Sequence, residues 1–405
     1  MGREARRKRE PNLPTVQSVD VPEKVPAGRK ILFALAILIA IAAFTYGISS
    51  LIKPASGWEE IQFSGAEANC ARDFNLIYET GRSGIASVAE RKVLISLLTE
   101  VMTTGYRVFS LTEDFEDTVS IHQINMHPNE ELTVDPMLYT ALKTLCAEDA
   151  RTVYLGPVYE QYRSVFYSDS EEEALEYDPV RNPEVAEYVR EVLPWCLDPE
   201  TIELAFPAEN VVCLKVSDDY LAFAKEYAIT NLIDAFVYAD AFITDAMADR
   251  MIAAGVVHGC VSSATGFVRN TDGPEQKYTL VLSDGLGKSV EACYTGGASV
   301  VMLGDHALAS EGTPWYYYAA DGTVRVPYLN PINGECTAPV HLLSGIAAGS
   351  SCGEILTKLL PVWFSGKVDQ TDLLDMEKEG LSGVIWDGDA LISNGMGLSV
   401  IGDQD

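Results

Sequence analysis

Apolar residues recur near i, i+3, i+4 and i+7 across residues 87–104 (SVAERKVLISLLTEVMTT), a spacing that gathers them on one helical face. Residues 136–147 repeat the pattern, with Pro136 at a first turn, where its missing N–H costs nothing. The acidic run SDSEEEALEYD within 168–192 reads as a solvated helix face, and a further helix follows Pro183. Residues 209–216 alternate like a strand, 218–227 are helical, and the apolar cluster 230–237 predicts a strand. A helix over 239–254 ends at Gly255, a residue that adopts left-handed caps freely. Strands are predicted at 256–269, 278–283, 298–303, 314–319 and 323–326, with Asp321-Gly322 as a hairpin turn. A strand at 339–346, helices at 351–364 and 368–378, and a hairpin of 382–387 and 390–393 close the chain. Long antiparallel stretches with helices between them, and no βαβ alternation, predict an α+β fold.

One segment follows neither period. Between Lys30 and Lys53 lie 22 residues without a formal charge, ILFALAILIAIAAFTYGISSLI. About 20 apolar residues at 1.5 Å rise cross a ~30 Å hydrocarbon core. A lone segment there must bond its own backbone, so residues 31–52 are read as a single N-terminal transmembrane helix. Its length, and the lack of a small-x-small cleavage site after it, favour a retained anchor over a cleaved signal. Residues 1–30 carry eight basic and four acidic side chains and several prolines, and read as a basic, disordered cytoplasmic tail. The positive-inside rule then puts the N-terminus in the cytoplasm and residues 54–405 outside, as a large mixed α/β ectodomain of a single-pass cell-membrane protein.

Charge narrows the partners. The chain has 29 basic and 59 acidic residues, a net charge of −30. Such a surface repels phosphate backbones, so no nucleic acid is expected as a partner; the membrane is met through the N-terminal helix. All eight cysteines lie beyond residue 54, widely spaced and without a CxxC pair. An exported domain with an even count predicts some disulfides, while Cys213 and Cys260, in apolar runs, read as buried thiols.

No GxSxG elbow, Walker A loop or HExxH is present. None of the five histidines has a helical i, i+4 histidine partner, which argues against a histidine metal site. Asp240, Asp245 and Asp249 share one predicted helix. Asp240 and Asp249 stand about 180° apart in helical phase, so the three read as a solvated face with helix-start charge. Gly304 to Glu335 combines a small-residue loop, an aromatic strand and an Asn-Pro-x-Asn-Gly turn. Small residues let a backbone approach a ligand and aromatic faces stack on planar rings; an edge hairpin packing its tyrosines on the core is the alternative.

The order of these pieces resembles the FAD:protein FMN transferase (ApbE) family across roughly residues 60–400. SIHQINMHPNEELTVDPMLYTAL (120–142) and LGPVYEQY (155–162) look like the family's early segments, the latter through Gly156 and Pro157. DAFITDAMADRMIAAGV (240–256) stands where the family has GGIAKGYAVD, and VSSATGFVRN (261–270) where it has NLGGDIR. HALASEGTPWYYY (306–318) looks like ATSGDYERY, YLNPINGE (328–335) like HIIDPRTG, and SCGEILTKLLPVW (351–363) like ADALATALFVLG. ISNGM (392–396) resembles the last strand.

The resemblance implies FAD and magnesium as cofactors, and transfer of FMN from FAD to a serine or threonine of a partner flavoprotein. It implies a cofactor site with Gly156, Pro157, Ser310, Glu311, Gly312, Asn330 and Gly334. For the metal it offers Thr357, which keeps the family's threonine, with Glu354 and Asp240 as weaker candidates. The chain departs from the family where polar chemistry is concentrated. The metal-binding aspartate falls on Gly353, the glycines and lysine of GGIAKG on Asp240, Ala241 and Thr244, and GGD on Ala264, Thr265 and Gly266. The His, Asp and Arg of HIIDPRTG become Pro327, Asn330 and Ile332. Asp240 and Asp245 add negative charge beside the expected diphosphate, which is unfavourable without extra metal. Two expectations follow: a membrane-anchored FMN transferase, or a catalytically degenerate relative that acts as a flavin-binding or protein-interaction module at the cell envelope.

Overall fold

The computed structural model describes residues 57–64, 73–82, 87–147, 151–283, 289–304, 316–320, 322–365, 369–387, 391–394 and 398–400. The 31–52 span lies outside them. Among the described residues no helix is long and apolar enough to cross a membrane. The described residues all belong to one compact unit, within Pro54–Asp405.

An eight-stranded sheet organises this unit. Its strands are β1 (Gly57–Ser64), β2 (Asp73–Thr80), β6 (Gly259–Ser263), β7 (Phe267–Asn270), β10 (Ala298–Gly304), β13 (Leu342–Ala348), β14 (Ser382–Trp386) and β15 (Leu391–Ser393). They lie side by side in that order, each antiparallel to its neighbours. β10 is buried along its whole length, so the sheet is covered on both faces.

Helices cover one face: α1 (Ser87–Val108), α3 (Pro136–Leu145), α8 (Ala239–Ala253) and α9 (Cys352–Phe364), with α10 (Gln370–Lys378) against β14. α8 is buried nearly all round, because β6 and β7 lie under it while α1, α3 and α9 flank it. On the other face lies a three-stranded sheet of β8 (Lys277–Ser283), β9 (Ser289–Thr295) and β16 (Leu398–Val400). Leu280, Leu282 and Tyr294 of this sheet pack on Val268, Val300, Met302, Ile346 and Trp386.

Between β2 and β6 sits a helical insertion. It holds α2 (Ile121–Met126), α4 (Gly156–Tyr162), α5 (Glu171–Tyr177), α6 (Pro183–Leu197) and α7 (Asp218–Glu226), with a sheet of β3 (Glu131–Thr133), β5 (Val211–Val216) and β4 (Ile202–Ala208). The short hairpin of β11 (Tyr317–Tyr318) and β12 (Val324–Arg325) follows β10.

The α+β reading and most helix positions hold, and four readings need correction. Residues 230–237 form no strand. Asn125 accepts from the Leu232 and Ile233 N–H groups and donates to the Ile233 carbonyl, so a side chain satisfies the backbone that a strand ladder would. Strand 256–269 is a hairpin turned by Gly266 at φ +100°. The seven described cysteines form no disulfide: Cys146, Cys196, Cys213, Cys260, Cys293, Cys336 and Cys352 are free. The acidic run is solvated only in part, since Asp178 at its end is buried against Arg325. Asp321 lies outside the described residues.

Candidate functional site at the start of helix α9

Helix α9 begins at a crowded corner. Ser351 caps it: the Ser351 hydroxyl accepts from the Glu354 N–H (3.1 Å), and the Glu354 carboxylate accepts from the Ser351 N–H (2.9 Å). Asp245 reaches across from α8. Its Oδ1 accepts from the Cys352 N–H (2.8 Å) and its Oδ2 from the Gly353 N–H (3.0 Å). A helix N-terminus binds anions through free N–H groups. Here the first three are already held by the chain's own oxygens.

Arg269 of β7 completes the corner. Its guanidinium bonds Asp245 Oδ1 (3.1 Å) and Asp249 Oδ1 (2.8 Å). Asp245 is buried, and burial raises its pKa above the ordinary 3.8 although the Gly353 and Cys352 N–H groups and Arg269 pull it down. The three aspartates of α8 are therefore no solvated face. Asp240 is also buried and accepts from the Thr265 hydroxyl, and only Asp249 is open to water. The i, i+4 spacing of Asp245 and Asp249 puts both on one helical face. That spacing was the legible signal; Arg269 as their common partner was not.

These residues do not fit the metal that the resemblance implies. An aspartate at 353 has no room: a Cβ there would lie 2.5 Å from Phe242 Cε1 and 3.1 Å from Cδ1 and Cζ. The Thr357 hydroxyl donates to the Glu354 carbonyl (3.0 Å) inside its own helix. Glu354 is committed to the capping box and Asp240 to Thr265. Among the described residues no three His, Cys, Asp or Glu side chains converge as a ligand set. Thr244, at the place of the family's lysine, is wholly buried and its hydroxyl has no partner.

The residues that keep the family pattern have structural tasks. A Cβ at Gly156 would meet the Asn231 carbonyl at 2.3 Å and the Ile233 nitrogen at 2.8 Å, so only glycine lets α4 start against that backbone. Pro157 is buried in the first turn of α4. Asn330 accepts from the Ile332 N–H (2.9 Å) and donates to the Phe364 carbonyl (2.9 Å), tying the turn to the end of α9. Gly334 has φ +70° and faces Val189 Cγ1. Ser310, Glu311 and Gly312 lie outside the described residues, as does His306.

Two cavities flank α9. One of about 450 Å³ lies at its start, lined by Thr104, Met137, Thr140, Phe242, Asp245, Asp249 and Arg269 among others. The other, about 230 Å³, lies at its end against Tyr328, Asn330, Thr337 and Trp363. No cysteine lines either cavity; elsewhere, burial pushes the Cys196 and Cys336 thiols up to about 12, and those of Cys146 and Cys260 up to about 11.

The fold finds a counterpart among solved structures. A point mutant of flavin transferase ApbE from Vibrio cholerae superposes with a TM-score of 0.54, over 83% of this chain and 97% of that one. The fold is ApbE-like. Sequence identity to that ApbE structure is 14%, a level at which the likeness is one of fold alone. No family model and no curated protein matches the sequence. An ApbE-like scaffold is thus present, and at the start of its helix α9 the Phe242 ring packs on Gly353.

Proposed function

We propose that this chain is a membrane-anchored, extracytoplasmic ApbE-fold protein that does not transfer FMN and acts as a binding module at the cell envelope. The anchor is residues 31–52, with the basic tail inside. The observation that carries the reading is the Phe242 ring packed on Gly353, which a side chain at that position would have to displace. Pyrophosphate cleavage needs positive charge on the phosphate oxygens. At the start of α9 the incoming phosphate would instead meet Asp245, already bonded to the helix N–H groups.

The other reading is a magnesium-dependent FMN transferase acting on a partner flavoprotein. It is supported by the extent of the fold likeness. It requires a metal site, and Thr357, Glu354 and Asp240 do not form one together.

FAD binding to the full chain in detergent, followed by flavin fluorescence with and without magnesium, separates the two. We expect the binding curve, whether flat or saturating, to be unchanged by magnesium. We also expect no covalent flavin on a serine- or threonine-containing acceptor peptide. Magnesium-dependent quenching together with a flavinylated peptide would establish the transferase instead.

A further inference from the structure

The start of α9 lacks the aspartate of the metal-binding family, yet two carboxylates and a cation still meet beside it. Asp245 bonds the Gly353 N–H, and Arg269 bonds both Asp245 and Asp249. We infer that Arg269 is a resident cation, supplying from within the chain the positive charge that a divalent metal would bring to this corner. This inference rests on the non-transferring reading of the same site and says how the corner offsets part of its negative charge without metal.

The geometry suits a guanidinium. Asp245 and Asp249 lie one turn apart on α8, and a planar fork of donors reaches both at 2.8–3.1 Å. Arg269 comes from the sheet beneath them, with 21% of its side chain exposed on the wall of the 450 Å³ cavity. The other charges at that cavity are already engaged. Arg250 lies 3.7 Å from Glu100, and Asp135 caps α3 by accepting from the Met137 N–H (2.8 Å). A guanidinium stays charged at every physiological pH and does not dissociate. Without it, Asp245 would keep its two backbone N–H partners, but Asp245 and Asp249 would line a water-accessible cavity without the cation that now joins them. Magnesium binds through one or two carboxylates while keeping several waters.

Thermal unfolding of the full chain in detergent, with and without millimolar magnesium chloride, tests this. The wild-type midpoint should not move with magnesium. R269Q should melt several degrees lower, and magnesium should restore at least half of that loss. R269Q/D249N should lose the rescue. R269K, which keeps a cation and serves if the glutamine variant does not fold, should remain indifferent to magnesium.

A wild-type midpoint that rises with magnesium, and no longer does so in D245N, would overturn the inference. So would an R269Q variant that melts like wild type or gains nothing from magnesium, or an R269K variant that magnesium stabilises. The outcome is independent of the transfer assay: covalent flavin on the acceptor peptide would sink the non-transferring reading whatever the melting curves show.

Discussion

Arg325 and Arg269 each leave a β-strand to hold an aspartate, in opposite surroundings. Arg325 and Asp178 are sealed, with side-chain exposures of 1% and 2%, and Arg325 also bonds the Thr323 hydroxyl. The pair ties the β11–β12 hairpin to the end of α5. Arg269 stands on a cavity wall and shares its charge between a buried and an exposed carboxylate, beside the start of α9. A sealed pair can be broken only at the cost of a stranded buried charge. A pair at a cavity can be replaced, because water or an ion can take the missing place. Arg269 borders a cavity of about 450 Å³ in which a ligand could sit.

The largest expected effect belongs to the sealed pair. Arg325→Met strands Asp178 and should lower stability by about 3–5 kcal/mol, read from the urea unfolding midpoint. Replacing Arg269 by glutamine should cost less, roughly 1–2 kcal/mol, since solvent screens Asp249. Equal losses would erase the distinction between the two arginines.

Gly353→Asp should lower stability by about 1–3 kcal/mol through collision with Phe242. Magnesium should not recover it. A variant as stable as wild type, or one rescued by magnesium, would mean that the Phe242 ring yields and the corner is less closed than its packing indicates.

A subtler effect is expected from pH. The folded value of Asp245 lies above 3.8, so the folded chain holds this proton more tightly than the unfolded one. Its favourable contribution is therefore present at low pH and lost as pH rises from 3.8 through the raised value. Wild type minus Asp245→Asn should show a stability difference that falls with pH across that window. A flat difference would mean that Arg269 and the two N–H groups fully offset burial.

The smallest effect is assigned to the exposed pair of Arg190 and Glu187, 66% and 63% exposed. Arg190→Ala should change stability by no more than ~0.5 kcal/mol. A larger loss would show that surface charge matters more in this acidic chain than the comparison assumes.

The helices were legible wherever one face alone is buried. The 87–104 and 136–147 patterns gave α1 and α3 within a few residues, because periodic burial leaves periodic apolarity. Segments satisfied by unique partners were misread. The 230–237 run looks like a strand, yet Asn125, more than a hundred residues earlier, holds its backbone. Of the candidate site, Gly156, Asn330 and Gly334 were found as a pattern, and the packing and hydrogen bonds that each makes became visible only in the structure. The α8 aspartates were found and misassigned, since helical phase shows which residues share a face and not whether that face is covered.

By itself the sequence determined the strand and helix periods, the charge asymmetry about an apolar 22-residue segment, and the serial order of pieces that makes an ApbE-like fold recognisable. These are local or additive properties, written in spacing and composition. Only the tertiary structure decided that Phe242 lies on Gly353, that Asp245 caps a helix more than a hundred residues away, and that Arg269 is the cation between two carboxylates. The reason is physical: side-chain charge and volume act through distances of a few ångströms, and the fold alone sets which residues meet at that range.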